Sequence, residues 1–122
     1  MKFFKCNTCG KIISFMKETA VPTICCGAPM EEIIPGTTDA AVEKHVPVYT
    51  VEGAKVSVKV GSVEHPMIDV HYIEWIVVET NFGSYTRKLS PNIPPAAEFN
   101  LVEGEVVKEV YAYCNLHSLW KA

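Results

Sequence analysis

Residues 1–36 hold four of the five cysteines and no histidine. Segments below about 40 residues seldom bury enough apolar surface to fold alone and usually need a metal or disulfides. The spacing is Cys6-Asn7-Thr8-Cys9, then fifteen residues, then Cys25-Cys26. Four thiolates suit tetrahedral zinc or a single iron. Gly10 and Gly27 each follow a cysteine, where a tight turn lets backbone N–H groups approach sulfur. The adjacent pair is unusual: Cys25 and Cys26 must splay their side chains, so a distorted tetrahedron is expected. A bridge between neighbouring cysteines forms only with strain. The start Met1-Lys2-Phe3-Phe4-Lys5-Cys6 is too soon interrupted by charge for a secretory signal. A cytoplasmic location is therefore expected, and there short-spaced cysteines are more often metal ligands than bridges. The short apolar pairs Phe3-Phe4, Ile12-Ile13 and Ile33-Ile34 suit small hairpins around that metal.

Pro35-Gly36 reads as a turn or linker, which places a second domain over residues 37–122. This part reads as β. Lys55–Val60 alternates strictly, as a strand with one solvated face does. His71–Glu79 and Val106–Cys114 are rich in β-branched and aromatic residues. Val46–Val51 and Tyr85–Leu89 are shorter runs, while Pro91, Pro94 and Pro95 mark a loop. The expected fold is mainly β: a small metal-stapled N-terminal domain, then an antiparallel, immunoglobulin-like sandwich. The formal charge of −3 offers no basic face for nucleic acid. No apolar run approaches the roughly 20 residues of a membrane-spanning helix.

The four histidines are His45, His65, His71 and His117, all in the second part, with Cys114. Any one alone has many other uses. Together they read as one cluster, and Cys114-Asn115-Leu116-His117 is a short chelating loop by itself. Zinc usually stops at four ligands. Five donors suit iron in a square pyramid with one vacant position, open to a small molecule. A thiolate opposite the vacancy pushes electron density toward that molecule.

The pieces Glu43-Lys44-His45-Val46-Pro47, His65-Pro66-Met67, His71-Tyr72-Ile73-Glu74-Trp75 and Cys114-Asn115-Leu116-His117, in this order, resemble the superoxide reductase family. The four-cysteine segment with its adjacent pair resembles the desulforedoxin-like domain of the two-iron form, desulfoferrodoxin. The resemblance spans essentially the whole chain. It implies that His45, His65, His71 and His117 are equatorial ligands of a non-haem iron and that Cys114 is axial. It implies a rubredoxin-like iron centre at Cys6, Cys9, Cys25 and Cys26, where zinc can substitute. It further implies one-electron reduction of superoxide to hydrogen peroxide, an external donor such as rubredoxin, and a homodimer. Ser118 stands where the family usually has glycine.

Lys44, beside a ligand, is expected to draw in the anion and stabilise developing negative charge. Glu43 is expected to occupy the vacancy at rest, as its family counterpart does. Without the resemblance both are ordinary exposed side chains. Trp75 and Trp120 are expected to pack against the site or core, and Glu74 to face away from His71 and Trp75 by strand alternation. Two other readings stand beside the enzyme: an iron electron carrier that binds no substrate, and a structural zinc protein.

Overall fold

The computed structural model describes every residue, Met1–Ala122. The chain separates into two compact units, Met1–Ile34 and Pro35–Ala122.

The first unit holds five two-residue strands: β1 (Phe4–Lys5), β2 (Ile12–Ile13), β3 (Ile24–Cys25), β4 (Ala28–Pro29) and β5 (Glu31–Glu32). One small sheet runs β2-β1-β5, and β3 pairs with β4 as a hairpin. Phe3, Cys6 and Met30 are its buried hydrophobic residues. Three such side chains, worth about 1.5–3 kcal/mol each, do not offset the ordering of 34 residues.

The second unit holds a single helical turn, α1 (Val42–His45), and seven strands: β6 (Pro47–Glu52), β7 (Lys55–Val60), β8 (Ile73–Thr80), β9 (Ser84–Lys88), β10 (Ala96–Asn100), β11 (Val107–Cys114) and β12 (Ser118–Lys121). They form two antiparallel sheets, β10-β7-β6 and β12-β11-β8-β9. One core joins them: Val56, Val58 and Val60 of β7 and Ala97 and Phe99 of β10 pack with Ile73, Ile76 and Val78 of β8 and Val110, Ala112 and Cys114 of β11. This is the β-sandwich that the sequence pattern and the resemblance point to. In β7 the alternation holds residue by residue, with Val56, Val58 and Val60 buried and Lys55 and Lys59 exposed.

Two strands were not anticipated. β10 follows directly on the proline-rich loop, and its pattern is only Ala97 and Phe99 facing in. β12 begins at the end of a motif that reads as a chelating loop. One expectation fails. Glu74 does not simply alternate away from His71 and Trp75. The β8–β11 register shifts between Ile73↔Cys114 and Trp75↔Tyr113, so two steps on β8 oppose one on β11. Glu74 is the extra residue of this bulge, which resets alternation, while His71 precedes the strand. Trp75 stacks on Tyr113 at 5.2 Å.

Candidate metal centres

In the first unit, Cys6 and Cys9 lie in the turn after β1. The Gly10 N–H donates to the Cys6 carbonyl at 2.9 Å, and the Cys9 N–H points at the Cys6 sulfur at 3.4 Å. Cys25 ends β3, and Cys26 and Gly27 form the two-residue turn to β4, with φ of 52° and 77°. Positive φ at both positions is what a type I′ hairpin turn requires. That left-handed turn is how two adjacent cysteines splay yet reach one point. All four sulfurs lie within 4.8 Å of one another, and Cys9 and Cys25 are 3.6 Å apart. A tetrahedron with metal–sulfur bonds of about 2.3 Å needs edges of about 3.8 Å, so the four thiols fit a metal.

The thiols are also prepared electrostatically. Backbone N–H groups of Cys9 and Thr8 pull Cys6 down to about 6. Hydrogen bonding with Cys9 and Cys6 pushes Cys25 up to about 12. Cys6 is thus the sulfur most ready to ionise, and a cation among the sulfurs would favour the thiolates of Cys25 and Cys26 as well.

In the second unit, α1 delivers His45, the segment after β7 delivers His65, the segment before β8 delivers His71, and the β11–β12 turn delivers Cys114 and His117. Ligand atoms of His45, His65, His71 and Cys114 lie within 4.8 Å of one another. His117 Nδ1 is 3.1 Å from His45 Nε2 and 3.8 Å from the Cys114 sulfur. Successive ring centroids are 4.7 Å (His45–His65), 4.7 Å (His65–His71), 5.0 Å (His71–His117) and 4.9 Å (His117–His45). The diagonal His45–His71 is 6.3 Å. Four near-equal edges and a longer diagonal describe a square, since in a tetrahedron all separations would be alike.

The hydrogen bonds set the tautomers. His45 Nδ1 donates to the Ala41 carbonyl and His65 Nδ1 to the Pro66 carbonyl, each at 2.7 Å. Both Nε2 atoms are then bare lone pairs, yet they face each other at 3.2 Å. Two acceptors so close repel unless a cation lies between them. His71 Nε2 is buried and has no hydrogen-bond partner. Contacts of 3.1 and 3.2 Å match neighbouring nitrogens at right angles about a metal at about 2.1 Å, which stand about 3.0 Å apart. The donor set fits iron.

Burial lowers His45, His65 and His71, the second to about 4, and the Lys44 charge adds to this at His45 and His71. These imidazoles are neutral and ready to ligate at pH 7. Burial pushes the Cys114 thiol up, while the Leu116 and His117 N–H groups pull the other way and the Glu74 carboxylate adds to the rise. Cys114 is fully buried within the sandwich core. The thiolate therefore backs the square on its inner side, and no carboxylate joins the cluster. Glu43 and Lys44 sit exposed on α1, next to His45.

Of two further neighbours, Trp120 packs against the site as its position suggests, and Gly61 had no signal of this kind in the sequence. The Trp120 indole stacks on His45 at 4.9 Å, and its N–H donates to the His117 carbonyl at 2.9 Å. Gly61, with φ of 87°, lies against the carbonyls of Glu43, Lys44 and Val63, so the chain on either side of Lys44 rests on bare backbone.

Comparison with known proteins agrees with this geometry. The desulfoferrodoxin family model matches residues 37–122, and the desulfoferrodoxin N-terminal domain model matches residues 1–33. A desulfoferrodoxin homolog of Archaeoglobus fulgidus is 44% identical over 122 residues, covering 100% of this chain and 96% of that protein. The desulfoferrodoxin of Nitratidesulfovibrio vulgaris is 44% identical over 123 residues, covering 99% and 94%. The crystal structure of a superoxide reductase from Treponema pallidum superposes with a TM-score of 0.83 at 36% identity, over 99% of this chain and 97% of that one. Both metal clusters fit the two-iron arrangement, and the chain belongs to the desulfoferrodoxin family.

Proposed function

We infer that the protein is a superoxide reductase in which His45, His65, His71, His117 and Cys114 would together hold the catalytic iron. The carrying observation is the square of imidazoles backed by the buried Cys114 sulfur, which leaves the face away from the core to a small molecule. Ferrous iron, if held by these five side chains, would be the source of the one electron that each superoxide takes up. With two protons from water the product is hydrogen peroxide. An electron carrier gains nothing from an open axial direction.

The chain supplies the rest. Lys44 is the cation at the mouth of a net negative protein, and it focuses the substrate anion toward the square. The same ammonium orders water for proton delivery. Glu43, on the same turn, covers the open direction between turnovers. The Leu116 and His117 N–H groups aimed at Cys114 temper how strongly that sulfur donates. The four-cysteine centre serves structure or electron storage. From the family we also propose a rubredoxin-like donor, a homodimer and a cytoplasmic location.

Reduced protein mixed with superoxide is expected to yield one hydrogen peroxide per iron oxidised, with no dioxygen. Dioxygen release would indicate dismutation, a coloured protein inert to superoxide would indicate an electron carrier, and a colourless one with zinc at both sites a structural zinc protein. Lys44→Ala is expected to slow the second-order reaction and flatten its dependence on ionic strength. An unchanged rate and slope would remove Lys44 from the mechanism.

A further inference from the structure

Like His65, His71 lies outside the strands of the sandwich. It precedes β8, and its own backbone pairs only with Ile68 in an isolated bridge, with both N–H···O contacts at 3.0 Å. His45 sits on a helical turn and His117 in a hairpin turn between two strands. The β8–β11 ladder that could hold the His71 segment to the Cys114 loop ends at Ile73↔Cys114.

Asn115 carries the pairing past that end with its backbone N–H and its side chain. The Asn115 N–H donates to the Tyr72 carbonyl at 3.1 Å. Its Oδ1 accepts the Tyr72 N–H at 2.9 Å, and its Nδ2 donates to the Val70 carbonyl at 3.1 Å. Asn115 thus grips the residue on each side of His71, while it sits directly after Cys114 and two before His117. A carboxamide suits this position because it presents a donor and an acceptor on separate atoms. Aspartate lacks the donor and leucine lacks both.

We propose that Asn115 is a positioning residue that holds the His71 imidazole in register with Cys114 and His117. It touches neither metal nor substrate. Removal of the carboxamide frees the Tyr72 N–H and the Val70 carbonyl and leaves the segment held by the Ile68 bridge and the Asn115 N–H to the Tyr72 carbonyl, so the His71 nitrogen is held less firmly at the square. This rests on His71 being a ligand. Supporting residues of this kind change metal affinity by about 10- to 100-fold.

Cobalt(II) binding tests the proposal without turnover. The full chain is titrated and the thiolate-to-cobalt absorption of the five-donor site is followed. The spectrally distinct four-cysteine site serves as internal reference. Asn115→Leu is expected to weaken cobalt at the five-donor site by about 10- to 100-fold and to shift its band, with the four-cysteine site unchanged. In a His71→Ala background the same substitution is expected to cost less than about threefold, because effects that run through one residue are not additive. An equal loss in both backgrounds, or binding and band unchanged in Asn115→Leu, overturns the proposal. Should Asn115→Leu fail to fold, Asn115→Ser answers the same cycle. His71→Ala alone checks the underlying reading: if it binds cobalt as tightly as the parent, His71 is not a ligand.

Discussion

Gly61→Ala is the substitution whose cost the backbone dictates most directly. A Cβ on Gly61 would lie 2.1 Å from the Val63 carbonyl oxygen, 2.8 Å from that of Lys44 and 2.9 Å from that of Glu43. Ordinary carbon–oxygen contacts begin near about 3.3 Å, so the Val63 carbonyl must retreat about 1.2 Å. None of the three atoms is the end of a flexible side chain. The Glu43 carbonyl also accepts the Val63 N–H at 3.0 Å and the Ser62 hydroxyl at 3.3 Å, and these bonds are strained or lost together. A side chain at φ of 87° costs about 1–2 kcal/mol, and two impaired hydrogen bonds add about 0.5–1.5 kcal/mol each. The sum is about 2–5 kcal/mol. Differential scanning calorimetry of the metal-free chain is expected to show the Pro35–Ala122 unit melting at least about 8 °C lower. Superoxide reduction by the iron-loaded variant is expected to slow as well, since Lys44 rides on the displaced segment. A melting point within about 2 °C of the parent would refute the reasoning, because it would mean that the backbone relaxes without cost.

Ser118 is the converse case, a side chain held at φ of 64°. Ser118→Gly releases about 1–2 kcal/mol of backbone strain against about 0.4–1 kcal/mol of added unfolded-state entropy. A denaturant midpoint is expected to rise slightly, whereas Ser118→Ala is not expected to gain. Chelation is expected to divide the chain: amide exchange protection is lost in Met1–Ile34, whose buried core is three residues, and kept in the sandwich strands. Hydrogen bonds from Thr80, first, and Tyr85 hold the Glu105 carboxyl below its usual 4.5. The unfolded chain binds the extra proton, so this contribution is full above about pH 4.5 and fades as pH falls through the lower folded value. Urea midpoints of parent and Glu105→Gln are therefore expected to converge below pH 4. A constant difference would assign the Glu105 effect to packing.

The nine cysteines and histidines that the fold gathers into two clusters were legible as metal candidates from residue type and spacing, with their roles implied by the resemblance: Cys6, Cys9, Cys25, Cys26, His45, His65, His71, Cys114 and His117. The β character of the second unit was legible too, because alternation in Lys55–Val60 is a local signal. β10 and β12 were not, since two inward side chains carry too little pattern. The Glu74 bulge was hidden because it exists only in the register between β8 and β11.

The choice of donors is a property of side-chain chemistry, which the sequence states outright. The square, the two anchored tautomers, the burial of Cys114 on the core side, the Trp120 stack and the Asn115 grip are properties of distance. Each joins residues far apart in the chain: His45 meets His117 across 72 positions and Tyr72 meets Asn115 across 43. Only the packing of two sheets brings such residues together, so tertiary structure alone decided that the five donors meet at one point.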